Sequence, residues 1–176
     1  MQLKKSLVIF LLTLVALSCK QKETQTDNLF KFKDYISYTT SGLISVIEPI
    51  TINLAEEVKD WEAEQDLDTD FVKIKPHVQG TLKAINKHTL VFTPDVALES
   101  DTEYAVTVNL GDIYKTIPSE FENYIFQFKT ITPGFSLTTN NLQSYSKEWQ
   151  YLSGQLRSAD VISLNDAKQL VAAFQN

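Results

Sequence analysis

The sequence predicts an all-β fold, a β-sandwich. Apolar and polar residues alternate over short runs, as Ile50, Ile52 and Leu54 do against Thr51 and Asn53. Turn signals separate these runs at regular spacing. No strand–helix–strand rhythm runs along the body of the chain, which argues against a doubly wound fold.

The strands follow in order. Gly42 to Ile47 (GLISVI) reads as one strand, and Glu48-Pro49 breaks it from Ile50 to Leu54. Phe71 to Ile74, Thr81 to Ile85 and Leu90 to Phe92 are short candidates, separated by Pro76, Gly80 and Asn86-Lys87-His88. Tyr104, Val106 and Val108 share one face, opposite Ala105, Thr107 and Asn109. Tyr124, Phe126 and Phe128 do the same against Ile125, Gln127 and Lys129. Six or seven such strands make a sandwich.

Composition sets outer bounds. Of the 176 residues, 43% are hydrophobic and 11% aromatic, enough for a packed core. The formal charge of −6 disfavours nucleic acid as a partner. A single cysteine, Cys19, excludes an intrachain disulfide and a thiolate zinc site.

The N-terminus reads as an address. Lys4 and Lys5 precede an apolar run from Ser6 to Leu17, short for a membrane span, which ends in Ala16-Leu17-Ser18-Cys19. This order resembles the lipobox of bacterial lipoproteins. The resemblance implies cleavage between Ser18 and Cys19, leaving residues 1–18 as a signal peptide. It also implies acylation of the Cys19 thiol and of the new amine, hence a membrane as partner through a lipid anchor. Several acyl chains anchor stably, since each buried CH₂ adds about 0.8 kcal/mol. Loss of Lys4 and Lys5 takes the charge from −6 to −8. Lys20, rather than Asp, follows Cys19, which by the same resemblance implies the outer rather than the inner membrane of a bacterial cell envelope. Residues 19–30 are expected to be a flexible tether, since Lys20 to Asn28 are all polar.

Glu56 to Asp70 holds eight acidic residues and one Lys, a solvated connection with Trp61 as an apolar anchor. Asp66, Asp68 and Asp70 match the start of an EF-hand, but Phe71 stands where Gly is needed and His77 where Glu is needed. A calcium site of another kind stays open. Exposed Trp61, Trp149, Tyr145 and Tyr151 would make a glycan platform; packing in the core or between domains is the favoured reading. His77 and His88 each sit beside a turn and outside any metal-ligand spacing. There is no phosphate loop and no nucleophile elbow. The sequence therefore leads us to expect no cofactor, no metal, no catalytic residue and no enzyme activity.

After Thr132-Pro133-Gly134 the pattern changes. Gln150 to Leu156 reads as a strand. Ser163 to Asp166 resembles a capping box, with Leu164, Ala167, Leu170, Val171 and Phe174 following at helical spacing. Residues 134–176 are too few to close a core alone. They are expected to begin a second, incomplete domain after a sandwich at 31–133.

The run TLVFTPDVALESDTEYAVTVNL, residues 89 to 110, ties these readings together. Thr93-Pro94 stops a strand, because Pro has no donor for the ladder. Leu98 plugs the sandwich end. Tyr104 resembles a tyrosine corner, its hydroxyl bonded back to nearby backbone. The run resembles the repeat of bacterial Ig-like domains, and Phe126 to Thr130 their closing strand. With the lipobox, Gly80, and Ser153 to Asp160 after the domain, the order is similar to the N-terminal region of bacterial alpha-2-macroglobulins. That resemblance implies a macroglobulin-type Ig-like sandwich at the front of a protease inhibitor, with proteases as partners of the whole. Departures are Ala84, where the family often has an aromatic, and the absence of a Cys-x-Glu-Gln thioester motif or a bait segment. Trapping chemistry is therefore not expected in this chain, whose role would be to anchor and position. The alternative is a stand-alone Ig-like lipoprotein that binds glycan or an envelope protein.

Overall fold

A computed structural model describes residues 25–146 and 148–172. Within them the fold is an all-β sandwich with a few short helices. A short helix, α1 (Gln25–Lys31), comes first. Nine strands follow: β1 (Ile36–Thr39), β2 (Gly42–Ile44), β3 (Ile50–Leu54), β4 (Gln65–Leu67), β5 (Val72–Lys75), β6 (Gly80–Ala84), β7 (Thr89–Pro94), β8 (Glu103–Asn109) and β9 (Asn123–Thr130). A one-turn helix, α2 (Leu110–Ile113), joins the last two.

One sheet has the order β1-β3-β7-β6-β4 and the other β2-β9-β8-β5. All pairs are antiparallel except β2 with β9. The alternation read in the sequence is the alternation of burial. Ile50, Ile52 and Leu54 face inward from one sheet, and Tyr104, Val106, Val108, Tyr124, Phe126 and Phe128 from the other. Leu82, Leu90 and Phe92 complete the contact between the layers. Each such side chain, fully buried, contributes about 1.5–3 kcal/mol.

The region expected to be a flexible tether is helical from Gln25, and Phe32 just beyond α1 is buried against Phe121 and Tyr124. The helix has a definite place. β2 covers the outer edge of β9 only at Phe128 to Thr130. α1 meets that edge further back, where the Asn28 side-chain amide donates to the Ile125 carbonyl. An exposed sheet edge is thus closed by a helix.

The acidic stretch is more structured than a solvated connection. It contains β4, which pairs with β6, and it is pinned by buried Trp61, whose ring meets Phe71 edge-on at 6.5 Å.

Beyond the sandwich, β10 (Phe135–Thr139) pairs with β13 (Gly154–Ser158), and β11 (Gln143–Ser144) with β12 (Gln150–Tyr151). The predicted strand at 150–156 is thus two short strands. A helix, α3 (Leu164–Gln169), follows; the Ser163 hydroxyl accepts from the Asp166 N–H at 3.1 Å.

Gly80 is required by proximity. A Cβ there would collide with the Thr93 carbonyl oxygen and stand 2.6 Å from the Phe92 ring. Gly80→Ala should destabilise the sandwich by about 1–3 kcal/mol through overpacking, measured by urea unfolding with an unchanged m-value.

Candidate functional site

Ser18 and Cys19 lie outside the described residues, as do Lys4, Lys5 and the apolar run between them. No described helix is long and apolar enough to cross a membrane.

The TLVFTP…TEY run forms a corner held by polar contacts. The Tyr104 hydroxyl accepts from the Glu99 N–H at 3.0 Å, and its ring stacks on Phe128 at 5.3 Å. Fully buried Thr130 donates its hydroxyl to the Glu99 carbonyl at 2.6 Å and accepts from the Thr102 N–H at 2.9 Å. Asp101 adopts a left-handed φ of 54°. Its carboxylate takes the Thr132 hydroxyl at 2.6 Å and the Lys129 ammonium at 2.5 Å. Hydrogen bonds from Lys129 and then Thr132 hold the Asp101 carboxyl below the usual range. Leu98 is buried, and its N–H donates to the Val46 carbonyl at 2.8 Å. These polar contacts all serve the corner.

A groove of about 420 Å³ opens between β5 and β6, with Asp70, Lys73, His77 and Asp95 among its lining residues. His88 is elsewhere, 3.5 Å from the Glu57 carboxylate. Asp66 faces Lys83 at 3.4 Å, while Asp68 accepts from the Asp70 N–H at 2.9 Å. Two members of the proposed calcium set are thus turned to separate partners. Among the described residues, no three acidic, His or Cys side chains come together around a common point.

The four aromatic candidates separate. Trp61 is in the core. Tyr145 and Tyr151 stack at 5.5 Å with their hydroxyls 3.2 Å apart, and Trp149 is 75% exposed nearby in sequence. They belong to a β unit from Phe135 to Ser158 in which no described residue is buried. Phe135, Leu137, Leu142 and Leu152 are exposed there too, and Val161, Leu164, Leu170 and Val171 beyond it.

One side chain ties this unit to the sandwich. Asp160 accepts from the Ser45 hydroxyl at 2.6 Å and the Val46 N–H at 2.9 Å, and also from the Val161 N–H at 2.7 Å. Burial pushes its carboxyl up, but the bonds from Ser45, Val46 and Val161 outweigh it and leave the group below its ordinary value. Sequence reading missed Asp160 as a contact, because its partners lie more than a hundred residues away.

No family model matches the chain, and no curated protein matches it in sequence. Among solved structures it is similar to L,D-transpeptidase 3 from Mycobacterium tuberculosis in complex with a faropenem-derived adduct. There the identity is 12%, the match covers 59% of this chain and 40% of that one, and the TM-score is 0.38. An L,D-transpeptidase from Mycobacterium smegmatis gives 16% identity, coverage of 57% and 41%, and a TM-score of 0.39. The chain thus spans about two fifths of these relatives, and at such scores the likeness transfers no chemistry.

These findings correct several expectations. The similar structures are transpeptidases, not alpha-2-macroglobulins, so that family and the protease-inhibitor role are withdrawn. The physical reason is local: the motif that carried the resemblance is used up by a sandwich corner, which specifies a fold and no family. The stand-alone module binding glycan or an envelope protein finds no support among these matches either. The expectation of no enzyme activity is withdrawn as well: it rested on motifs not found in the sequence, and the similar structures are those of enzymes. Proteases as partners rested on the withdrawn family alone.

Tyr104→Phe removes the acceptor of the Glu99 N–H. A loss of about 1 kcal/mol, or roughly 4–8 °C in Tm for a domain of about 100 residues, is the expected result by calorimetry. Asp160→Ala should free the β10–β13 unit from the sandwich, speeding amide exchange of Val46 several-fold. Because the folded carboxyl titrates below its ordinary value, the contact holds above the unfolded value. It should be lost as pH falls through the lower folded one. Exchange at Val46 followed from pH 6 down to about pH 2–3 checks the sign.

Proposed function

We propose that the chain is a lipid-anchored carrier of the bacterial cell envelope, held in the outer rather than the inner membrane. Cys19, acylated after cleavage beside Ser18, is the anchor; the sandwich is a rigid spacer; the β10–β13 unit is what it carries. The lipobox-like order from Lys4 to Cys19 supports the anchor.

The observation that carries the spacer reading is the placement of two contacts along β9. Asn28 of α1 meets Ile125 near its start. Ile44 pairs with Thr130 at its end, and Ser45 and Val46, which hold Asp160, come next. Five steps of strand, at about 3.3 Å each, separate Ile125 from Thr130 by roughly 17 Å. The tethered helix and the carried unit are thus at opposite ends of one strand. The exposed apolar side chains of that unit are held away from the anchor.

Phase partition in a cloud-point detergent tests the anchor. Wild-type protein should enter the detergent-rich phase and carry label from a radioactive fatty acid. Cys19→Ser should carry no label and be recovered with its first 18 residues uncleaved. Label retained by Cys19→Ser would sink the reading. Density separation of the two membranes tests the outer-membrane assignment.

A further inference from the structure

We infer that Phe30, Lys31 and Lys33 form a face that seats directly on the lipid bilayer. The inference rests on the acyl anchor proposed above and adds a second, non-covalent contact to it.

Phe30 is 74% exposed at the end of α1, while Phe32, two residues on, is in the core. Burial of Phe32 fixes the rotation of this segment and leaves Phe30 outside. The Lys33 ammonium lies 5.4 Å from the Phe30 ring centroid. The Lys31 ammonium lies 5.7 Å from the Phe32 ring and 6.0 Å from Phe121. One exposed aromatic ring and the Lys33 ammonium against it are thereby brought together, with the Lys31 ammonium beside the neighbouring Phe32 and Phe121 rings. From Asn28 to Tyr35 there are two lysines and one carboxylate, Asp34, in a chain whose net charge is −6. A ring at the level of the headgroups with lysines reaching lipid phosphates is how such a face binds a membrane.

The chain outside the described residues selects the occupant. Six Cα steps join Cys19 to Gln25, which span at most about 22 Å when fully extended. Five helical steps to Phe30 add roughly 7.5 Å. An anchored Cys19 therefore keeps Phe30 within about 30 Å of the bilayer surface. A short tether of this kind gives an effective concentration of the order of millimolar, at which even a weak face is occupied. The larger apolar surface of the β10–β13 unit is at the far end of β9 and is not so confined.

The test uses acylated full-length protein in vesicles of phosphatidylethanolamine and phosphatidylglycerol, with lipids brominated high on the acyl chains. Phe30→Trp adds a fluorophore at the face. Val96→Trp adds one at a site equally exposed, 73%, in the loop that leads to Leu98 at the other end of β9. With wild-type emission subtracted, the bromolipid should quench the added fluorophore of Phe30→Trp at least two-fold and leave that of Val96→Trp unchanged. Quenching in Phe30→Trp should fall several-fold when Lys31→Glu and Lys33→Glu are introduced beside it. No quenching in either variant, on protein that floats with the vesicles, would overturn the seat and leave the anchor standing. Equal quenching of both would also overturn it, since no single face would then be preferred. Protein that fails to float would overturn anchor and seat together.

Discussion

The ladder between β8 and β9 is the constraint on which the rest depends. It runs unbroken from Glu103 opposite Lys129 to Asn109 opposite Asn123. A one-residue slip would turn Tyr124, Phe126 and Phe128 outward together, so burial of one face fixes the register. That register puts Tyr104 opposite Phe128, where the rings stack, and brings Thr130 within reach of Glu99 and Thr102. It also fixes how much of the far edge of β9 remains. β2 takes the last three residues, and α1 meets the edge at Ile125.

The strands that were legible from sequence are those with one wet face and one dry face. β3, β8 and β9 announce themselves by period two because their inward residues are apolar, save Thr130 at the end of β9. β1 was missed because a bulge between Ile36 and Tyr38 breaks the alternation, so that its burial runs in–out–out–in. β4 was missed because an edge strand of sequence QDL has no buried residue to mark it. α1 was missed because a polar run reads as tether. Its place comes from Asn28 meeting a carbonyl 97 residues away, a contact no local pattern encodes. In the β10–β13 unit both faces of β10 are exposed, so alternation there carries no inside or outside.

The site was harder to read than the fold, for a related reason. The most distinctive motif in the sequence, LVFTP to TEY, is distinctive because a sandwich corner makes narrow demands. A strand stop, a plug, a left-handed turn residue and a hydroxyl in reach of Glu99 must follow one another within a short loop. Those demands are met by Pro94, Leu98, Asp101 and Tyr104, with Thr130 crossing from β9 to close the knot. A family reading drawn from such residues mistakes geometry for ancestry. The residue that joins the two β units, Asp160, stands in a sequence with nothing unusual about it. Its role exists only because β2 ends at Ile44 and leaves the Ser45 hydroxyl and the Val46 N–H free to reach it.

The two ends of β9 differ in what holds them, and the difference follows from chemistry. At the start, Phe32 packs among Phe121 and Tyr124, an apolar contact that no loss of a carboxylate charge weakens. At the end, the β10–β13 unit is held by one carboxylate accepting two hydrogen bonds from the sandwich. None of the unit's described residues is buried. A two-stranded unit without a core is marginal in water, so its order depends on that carboxylate far more than the sandwich does. The molecule is therefore firm where it would meet the anchor and yielding where it carries its exposed apolar surface. Rearrangement of the distal unit on contact with another surface would require only the breaking of Asp160 from Ser45 and Val46. The ladder of β8 and β9 would be left as it stands.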